Sequence, residues 1–114
     1  MELVKLSTPA LALMALAIVG TALSGPAAAT GSAEAGQAKS VTCSACHGMD
    51  GNSLNPEWPS LAGQHESYLV KSLQSFKSGA RQNVLMSGMA LPLTDEDMVD
   101  LAAYFAAQKR AGGV

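Results

Sequence analysis

The stretch "VTCSACHGMDGN", Val41–Asn52, holds the only two cysteines of this 114-residue chain, Cys43 and Cys46, with His47 directly after the second. Four uses compete for such a unit. A disulfide between the two thiols closes a very small loop and constrains the unfolded chain little. A redox dithiol of this spacing normally sits beside a βαβ pattern, and no segment here shows the period-2 alternation of a strand. A structural zinc needs about four ligands; Cys43, Cys46, His47 and His65 are the only imidazole and thiolate donors, with no second paired knuckle. The fourth use is covalent haem attachment. Thiols at i and i+3 fall on one side of a helical turn, where both reach the vinyl groups on one porphyrin edge. The next residue, His47, is then held beneath the ring to bind iron. The spacing selects this use: one haem c, bonded to Cys43 and Cys46, with His47 as proximal ligand.

Residues on the N-terminal side say where this attachment takes place. Met1–Ala29 reads "MELVKLSTPALALMALAIVGTALSGPAAA". Lys5 lies near its start, an apolar run spans Ala10 to Leu23, and Ala27-Ala28-Ala29 fits a small-residue cleavage site. The run is about 14 residues, short of the roughly 18 that suggest a membrane-spanning helix. The expectation is a cleaved secretory signal over 1–29, with cleavage after Ala33 as the alternative. A single domain over 30–114 is then expected to work outside the cytoplasm and not to span the membrane. At about 85 residues such a domain is marginal for a self-sufficient core, and a covalent haem is the kind of staple it needs. Its charges are mildly acidic in balance, Lys39, Lys71, Lys77, Arg81, Lys109 and Arg110 facing Glu34, Asp50, Glu57, Glu66, Asp95, Glu96, Asp97 and Asp100. With no basic run, nucleic acid is not an expected partner.

The rest of the chain reads as all-α. Glu34–Thr42 is expected to form a short helix running into the cysteines, with Gly36 placed for close approach of another helix. Gly48–Gly63, rich in turn residues, is expected as a loop. Gln64–Lys77 has Leu69, Leu73 and Phe76 at helical spacing, and Gly79 suits its end. Arg81–Leu93, interrupted by Gly88 and Pro92, is expected to be irregular. The last helix starts at the N-cap Thr94 with Asp95, Glu96 and Asp97 in its first turn. Its apolar face is Met98, Leu101, Ala102 and Phe105, and Lys109 and Arg110 are expected in its last turn.

A low-spin haem also needs a sixth iron ligand. Met49 is tied to the proximal side by its nearness to His47. Met98 lies on the core face of the last helix, and His65 opens a helix. Met86 and Met89 remain, both in the glycine-containing "LMSGMALPL". A thioether favours ferrous iron and so raises the reduction potential. From the residues alone, Met86, Met89 and an open sixth site all stand.

The blocks "CSACHGMDGN", "WPSLAGQHESYL", "FKSGAR" and "LMSGMALPLTDEDMVDLAAYFA" resemble the small class I c-type cytochromes of the bacterial periplasm. They are similar above all to one half of the dihaem cytochrome c of respiratory chains. The resemblance runs from about Ala35 to Gln108 and keeps the family's order and spacing. It implies several short helices wrapped around one haem, with the N- and C-terminal helices crossing and Gly36 facing Tyr104 or Phe105. It implies Met86, of the Met-x-Gly step, as distal ligand, with Met89 packing in the pocket. It also implies that the Pro59 carbonyl accepts from His47, Pro56 being the second choice. Trp58 has two readings, packing at the haem edge with its indole toward a propionate or plain core packing. Arg81 likewise either meets a propionate or stands as a solvated charge, and Asn83 is a further propionate candidate. Tyr68, Leu69, Leu73, Leu85, Leu91 and Leu93 are expected in the haem pocket and core.

The function expected is one-electron transfer, not catalysis, with no small-molecule substrate. Electrons pass at the thioether edge near Ser44, Ala45, Gly48 and Met49. Expected partners are redox proteins: a quinol-oxidising complex or dehydrogenase as donor, a terminal oxidase or reductase as acceptor. The alternatives are a haem enzyme or gas sensor with an open sixth site, and a cytochrome subunit fixed to a larger oxidoreductase.

Overall fold

The structure, a computed structural model, describes Gly20 and residues 30–112. The expected signal segment therefore lies, Gly20 apart, outside the described residues. Among the described residues five helices follow one another: α1 (Ala33–Lys39), α2 (Val41–His47), α3 (Glu66–Ser78), α4 (Val84–Ala90) and α5 (Asp95–Ala107). There is no strand among the described residues, in agreement with the all-α expectation.

The first helical stretch is two helices, not the single Glu34–Thr42 helix expected. Ser32 caps α1, its hydroxyl accepting from the Ala35 N–H (3.2 Å). Ser40 then separates α1 from α2. Its hydroxyl and its N–H both donate to the Gln37 carbonyl, at 2.8 and 3.2 Å. A serine that satisfies the backbone locally in this way competes with a continuous helix. The consequence is that both cysteines and His47 lie on α2, a helix separate from α1.

The two long helices match their signals closely. Helix α3 begins after His65 and is closed by Gly79 in the left-handed conformation (φ 80°). Helix α5 carries a full capping box: Thr94 Oγ1 accepts from the Asp97 N–H (3.1 Å), and Asp97 Oδ2 accepts from the Thr94 N–H (2.9 Å). It ends at Ala107, so Lys109 and Arg110 lie beyond it rather than in its last turn. The reason is Gln108, whose extended backbone (φ −75°, ψ 147°) breaks the helix.

Helix α4 corrects the reading of Arg81–Leu93 as irregular. Asn83 caps it, Oδ1 accepting from the Met86 N–H (3.0 Å). Such a cap is worth about 1 kcal/mol, similar to the helix cost of an interior glycine such as Gly88. Pro92 falls after the C-cap Leu91, where it stops the helix without interrupting it.

The core lies where α1 and α3 pack against α5. Gly36 makes the first crossing possible. A Cβ there would stand 2.0 Å from the Asp100 carbonyl oxygen and 2.8 Å from Tyr104 Cβ, so the expected Gly36–Tyr104 approach is found. Lys39 ties the same crossing, its ammonium 2.9 Å from Asp97 and 2.7 Å from Asp100. Asp100 also accepts from the Ser32 N–H (2.8 Å). Leu69 of α3 joins Leu101, Ala102, Tyr104 and Phe105 of α5 in one buried cluster. Met98 and Leu101 are fully buried, each contributing roughly 1.5–3 kcal/mol of apolar burial.

Candidate haem site

Helix α2 sets out the attachment side. Cys43 and Cys46 are free thiols, both half-buried, and Cys43 packs against the core cluster. Burial pushes the Cys43 thiol above its ordinary pKa. That is opposite to the lowered pKa of a catalytic dithiol. Among the described residues no group of three or more His, Cys, Asp or Glu side chains gathers to hold a metal.

His47 is buried at the end of α2, only 6 % exposed. Its Nδ1 lies 2.7 Å from the Pro59 carbonyl oxygen. A carbonyl can only accept, so the proton sits on Nδ1 and the Nε2 lone pair is left for a metal. The arrangement joins two thiols three residues apart to an oriented imidazole one residue on. Its donor set fits covalent haem.

The loop between α2 and α3 brings Pro59 back to His47, and it is fastened mostly to α5 and the residues after it. The Tyr104 hydroxyl donates to the Met49 carbonyl (2.9 Å). Gly51 (φ 80°) sits so close to Phe105 that a Cβ would lie 2.7 Å from the ring. The Gly51 carbonyl accepts from the N–H groups of Leu61 (2.7 Å) and Ala62 (3.0 Å), and Gly63 N–H donates to the Phe105 carbonyl (2.9 Å). Asn52 spans to the tail, donating to the Lys109 carbonyl (2.9 Å) and accepting from the Ala111 N–H (2.7 Å). None of these ties was expected. The partners in the ties to α5 and the tail are more than forty residues apart in sequence, and no local pattern announces them.

The remaining expected residues fall as follows. Met86 is half-buried in the first turn of α4; Met89, three residues on, is 51 % exposed. Helix α4 packs chiefly on α3, and α2 chiefly on α1, so methionines and histidine come from separately supported helices. Met98 is core, as expected, and Met49 is exposed beside His47. His65 is exposed at the N-cap of α3. Trp58 is half-buried, its backbone N–H bonded to the Asn55 carbonyl (3.1 Å). Arg81 is exposed, with its guanidinium carbon 4.6 Å from the Phe76 ring centre. With Tyr68, Lys71, Ser72, Ser75 and Ala80 it lines an open groove of about 240 Å³. Asn83 Oδ1 is engaged as the α4 cap. Of the apolar residues assigned to pocket and core, Leu69 is buried and Leu73 and Leu93 half-buried. Tyr68, Leu85 and Leu91 are exposed, outside the protein's own core.

A family model described as "Cytochrome c" matches residues 28–109. The chain belongs to the cytochrome c family. Its Cys43-Ser-Ala-Cys46-His47 unit is this family's attachment motif for one covalent haem c. The cytochrome is 50 % identical over 78 residues to cytochrome c4 of Pseudomonas aeruginosa, covering 68 % of this chain and 39 % of that one. It is 45 % identical over 74 residues to cytochrome c-554(548) of Halomonas halodenitrificans, covering 62 % of this chain and 89 % of the relative. Among solved structures it superimposes on reduced recombinant cytochrome c4 from Pseudomonas stutzeri with a TM-score of 0.69. The two are 49 % identical, over 72 % of this cytochrome and 48 % of the other chain. It thus spans about two fifths to one half of the cytochrome c4 chains it matches, like one half of such a protein. No helix among the described residues is long and apolar enough to cross a membrane.

Proposed function

We propose that this cytochrome is a one-electron carrier of the periplasm, exported by a signal over 1–29 that is then cleaved. Cys43 and Cys46 hold the haem, and His47 and Met86 are its axial ligands. The haem, when bound, supplies a reversible one-electron couple. The single observation that carries this reading is the His47–Pro59 hydrogen bond of 2.7 Å, on the same helix as the two thiols. It orients the imidazole and raises its basicity toward iron.

The protein's part is to hold both ligands and keep water away. His47 is buried and its ring is oriented by the hydrogen bond to the Pro59 carbonyl. Met86 sits on a helix fixed by the Asn83 cap, and it is the more sheltered of the two candidate methionines. Exposed Leu85, Met89 and Leu91 on and beside α4 give apolar surface for a porphyrin face to cover. Trp58 and Arg81 remain candidates for the haem surroundings, Arg81 as a cation toward a propionate. Electrons pass through the edge near α2, where Ala45 and Met49 are exposed. Redox proteins serve as donor and acceptor, a quinol-oxidising complex or dehydrogenase on one side and a terminal oxidase or reductase on the other.

The test is ligand access. Carbon monoxide added to the reduced holoprotein and cyanide to the oxidised form should leave the spectra unchanged at neutral pH over minutes. A rapid change in both would replace the electron carrier by an enzyme or sensor with an open sixth site. A mass spectrum of the exported protein tests the rest, with an expected mass of residues 30–114 plus one haem.

A further inference from the structure

We propose that Tyr104 is a positioning residue for the proximal histidine, acting through the loop that delivers the Pro59 carbonyl. The inference rests on the reading of His47 as an iron ligand.

Pro59 cannot orient His47 unless the chain between them is held, since twelve positions separate them. The loop departs from α2 at Gly48 and turns at once, the Gly51 N–H donating to the Gly48 carbonyl (3.0 Å). Inside this turn the Met49 carbonyl points at α5, and the Tyr104 hydroxyl meets it at 2.9 Å. Two residues later Gly51 lies against the Phe105 ring and accepts the Leu61 and Ala62 N–H groups. Both ends of the loop are thereby drawn to the same turn of α5, one through Tyr104 and one through Gly51. Pro59 is two residues before the Leu61 tie.

Tyr104 has two separable parts. Its Cβ lies at the α1–α5 crossing beside Gly36 and its ring centre is 5.0 Å from that of Phe105, and this part is packing. Its hydroxyl reaches past the crossing to the residue two places after His47, where an aliphatic or phenyl group would pack as well. Removing the hydroxyl frees the Met49 carbonyl and loosens the turn. The Nδ1–H bond of His47 to Pro59 then weakens and the imidazole gives less charge to iron. Less donation disfavours the oxidised form, so the potential rises.

The experiment compares wild-type holoprotein with Tyr104→Phe and Lys39→Met. Tyr104→Phe keeps the ring and lets the fold form. Lys39→Met lowers stability at the same helix crossing without touching the loop. The readouts are solvent exchange of the haem-bound histidine Nδ1–H by NMR and the midpoint potential. Tyr104→Phe should speed exchange about fivefold, as losing one hydrogen bond of ordinary net strength would, and shift the potential upward. Lys39→Met should do neither. An unchanged exchange rate and potential in Tyr104→Phe overturns the proposal, as does an equal change in Lys39→Met, which would make the effect one of global stability. Absence of a haem-bound histidine Nδ1–H signal in the wild type would instead remove His47 as ligand, and the proposal with it.

Discussion

The Pro59 carbonyl stands 2.7 Å from His47 Nδ1, so a backbone atom of the α2–α3 loop sets the direction of the imidazole at the end of α2. Because the acceptor is a carbonyl, the identity of residue 59 matters through loop stiffness rather than through the hydrogen bond itself. Pro59→Ala should keep the haem and the histidine ligand. It should lower unfolding stability by about 0.4–1 kcal/mol, the usual effect of releasing a compatible proline in the unfolded chain. Urea unfolding of the holoprotein, followed at the haem band, measures it; a loss of haem would show that the ring itself shapes the site.

The α1–α5 crossing leaves no room at Gly36. A Cβ would sit 2.0 Å from the Asp100 carbonyl oxygen, a backbone atom that cannot rotate away. Gly36→Ala should therefore force the helices apart and destabilise by about 3 kcal/mol, the upper end for overpacking. Gly88 provides the contrast, since nothing lies within 4 Å of a Cβ there. Gly88→Ala should stabilise by up to about 1 kcal/mol through helix propensity. Chemical denaturation of both variants decides it, and equal outcomes would contradict the crossing.

The same crossing carries a pH dependence. The Thr94 N–H first, and then the Lys39 ammonium, hold Asp97 down from 3.8 to about 2. Lys39 and the Ser32 N–H likewise lower Asp100. A carboxylate with a depressed folded pKa stabilises above its unfolded value and loses that stabilisation as pH falls through its folded value. Stability should thus decline between pH about 4 and about 2. Lys39→Met should flatten this decline only in part, because the Thr94 bond remains. Thermal midpoints taken across that window in both proteins give the comparison; identical slopes would mean that Lys39 is uncoupled from the carboxylates.

What could be seen in the sequence and what could not follows the range of the interactions. The attachment unit is a five-residue pattern, and α5 announces its start by the N-cap Thr94 followed by three acidic residues, so both were visible. Gly36 was legible as a place of close approach because a glycine is unfavourable inside a helix without such a reason. Helix α4 was hidden since Gly88 and Pro92 look like breakers. Their effect is offset by one residue, Asn83, which in the sequence stands only as a propionate candidate and in the structure serves as the helix cap. The break at Ser40 was hidden too, because a serine inside a helical stretch gives no sign of where its hydroxyl turns. The ties from Met49, Gly51 and Asn52 to Tyr104, Phe105 and Lys109 exist only after folding. They connect surfaces, not neighbours in sequence, and no spacing rule reaches across them.

Helix α4 supplies the final prediction, because it places two methionines three residues apart and shelters them unequally. Met86 is half-buried, follows the Asn83 cap and donates its N–H to it (3.0 Å), whereas Met89 is 51 % exposed. Met86→Ala should abolish the ferric iron–sulfur absorption band and lower the reduction potential, since a thioether favours ferrous iron. Met89→Ala should keep the band. Asn83→Ala should keep it as well but weaken it on mild heating, because losing the cap removes about 1 kcal/mol from a seven-residue helix. Absorbance of the three oxidised holoproteins between room temperature and their unfolding midpoints orders them. If the band survives in Met86→Ala and vanishes in Met89→Ala, the sixth ligand is the more exposed methionine, and α4 must turn on its axis when it binds.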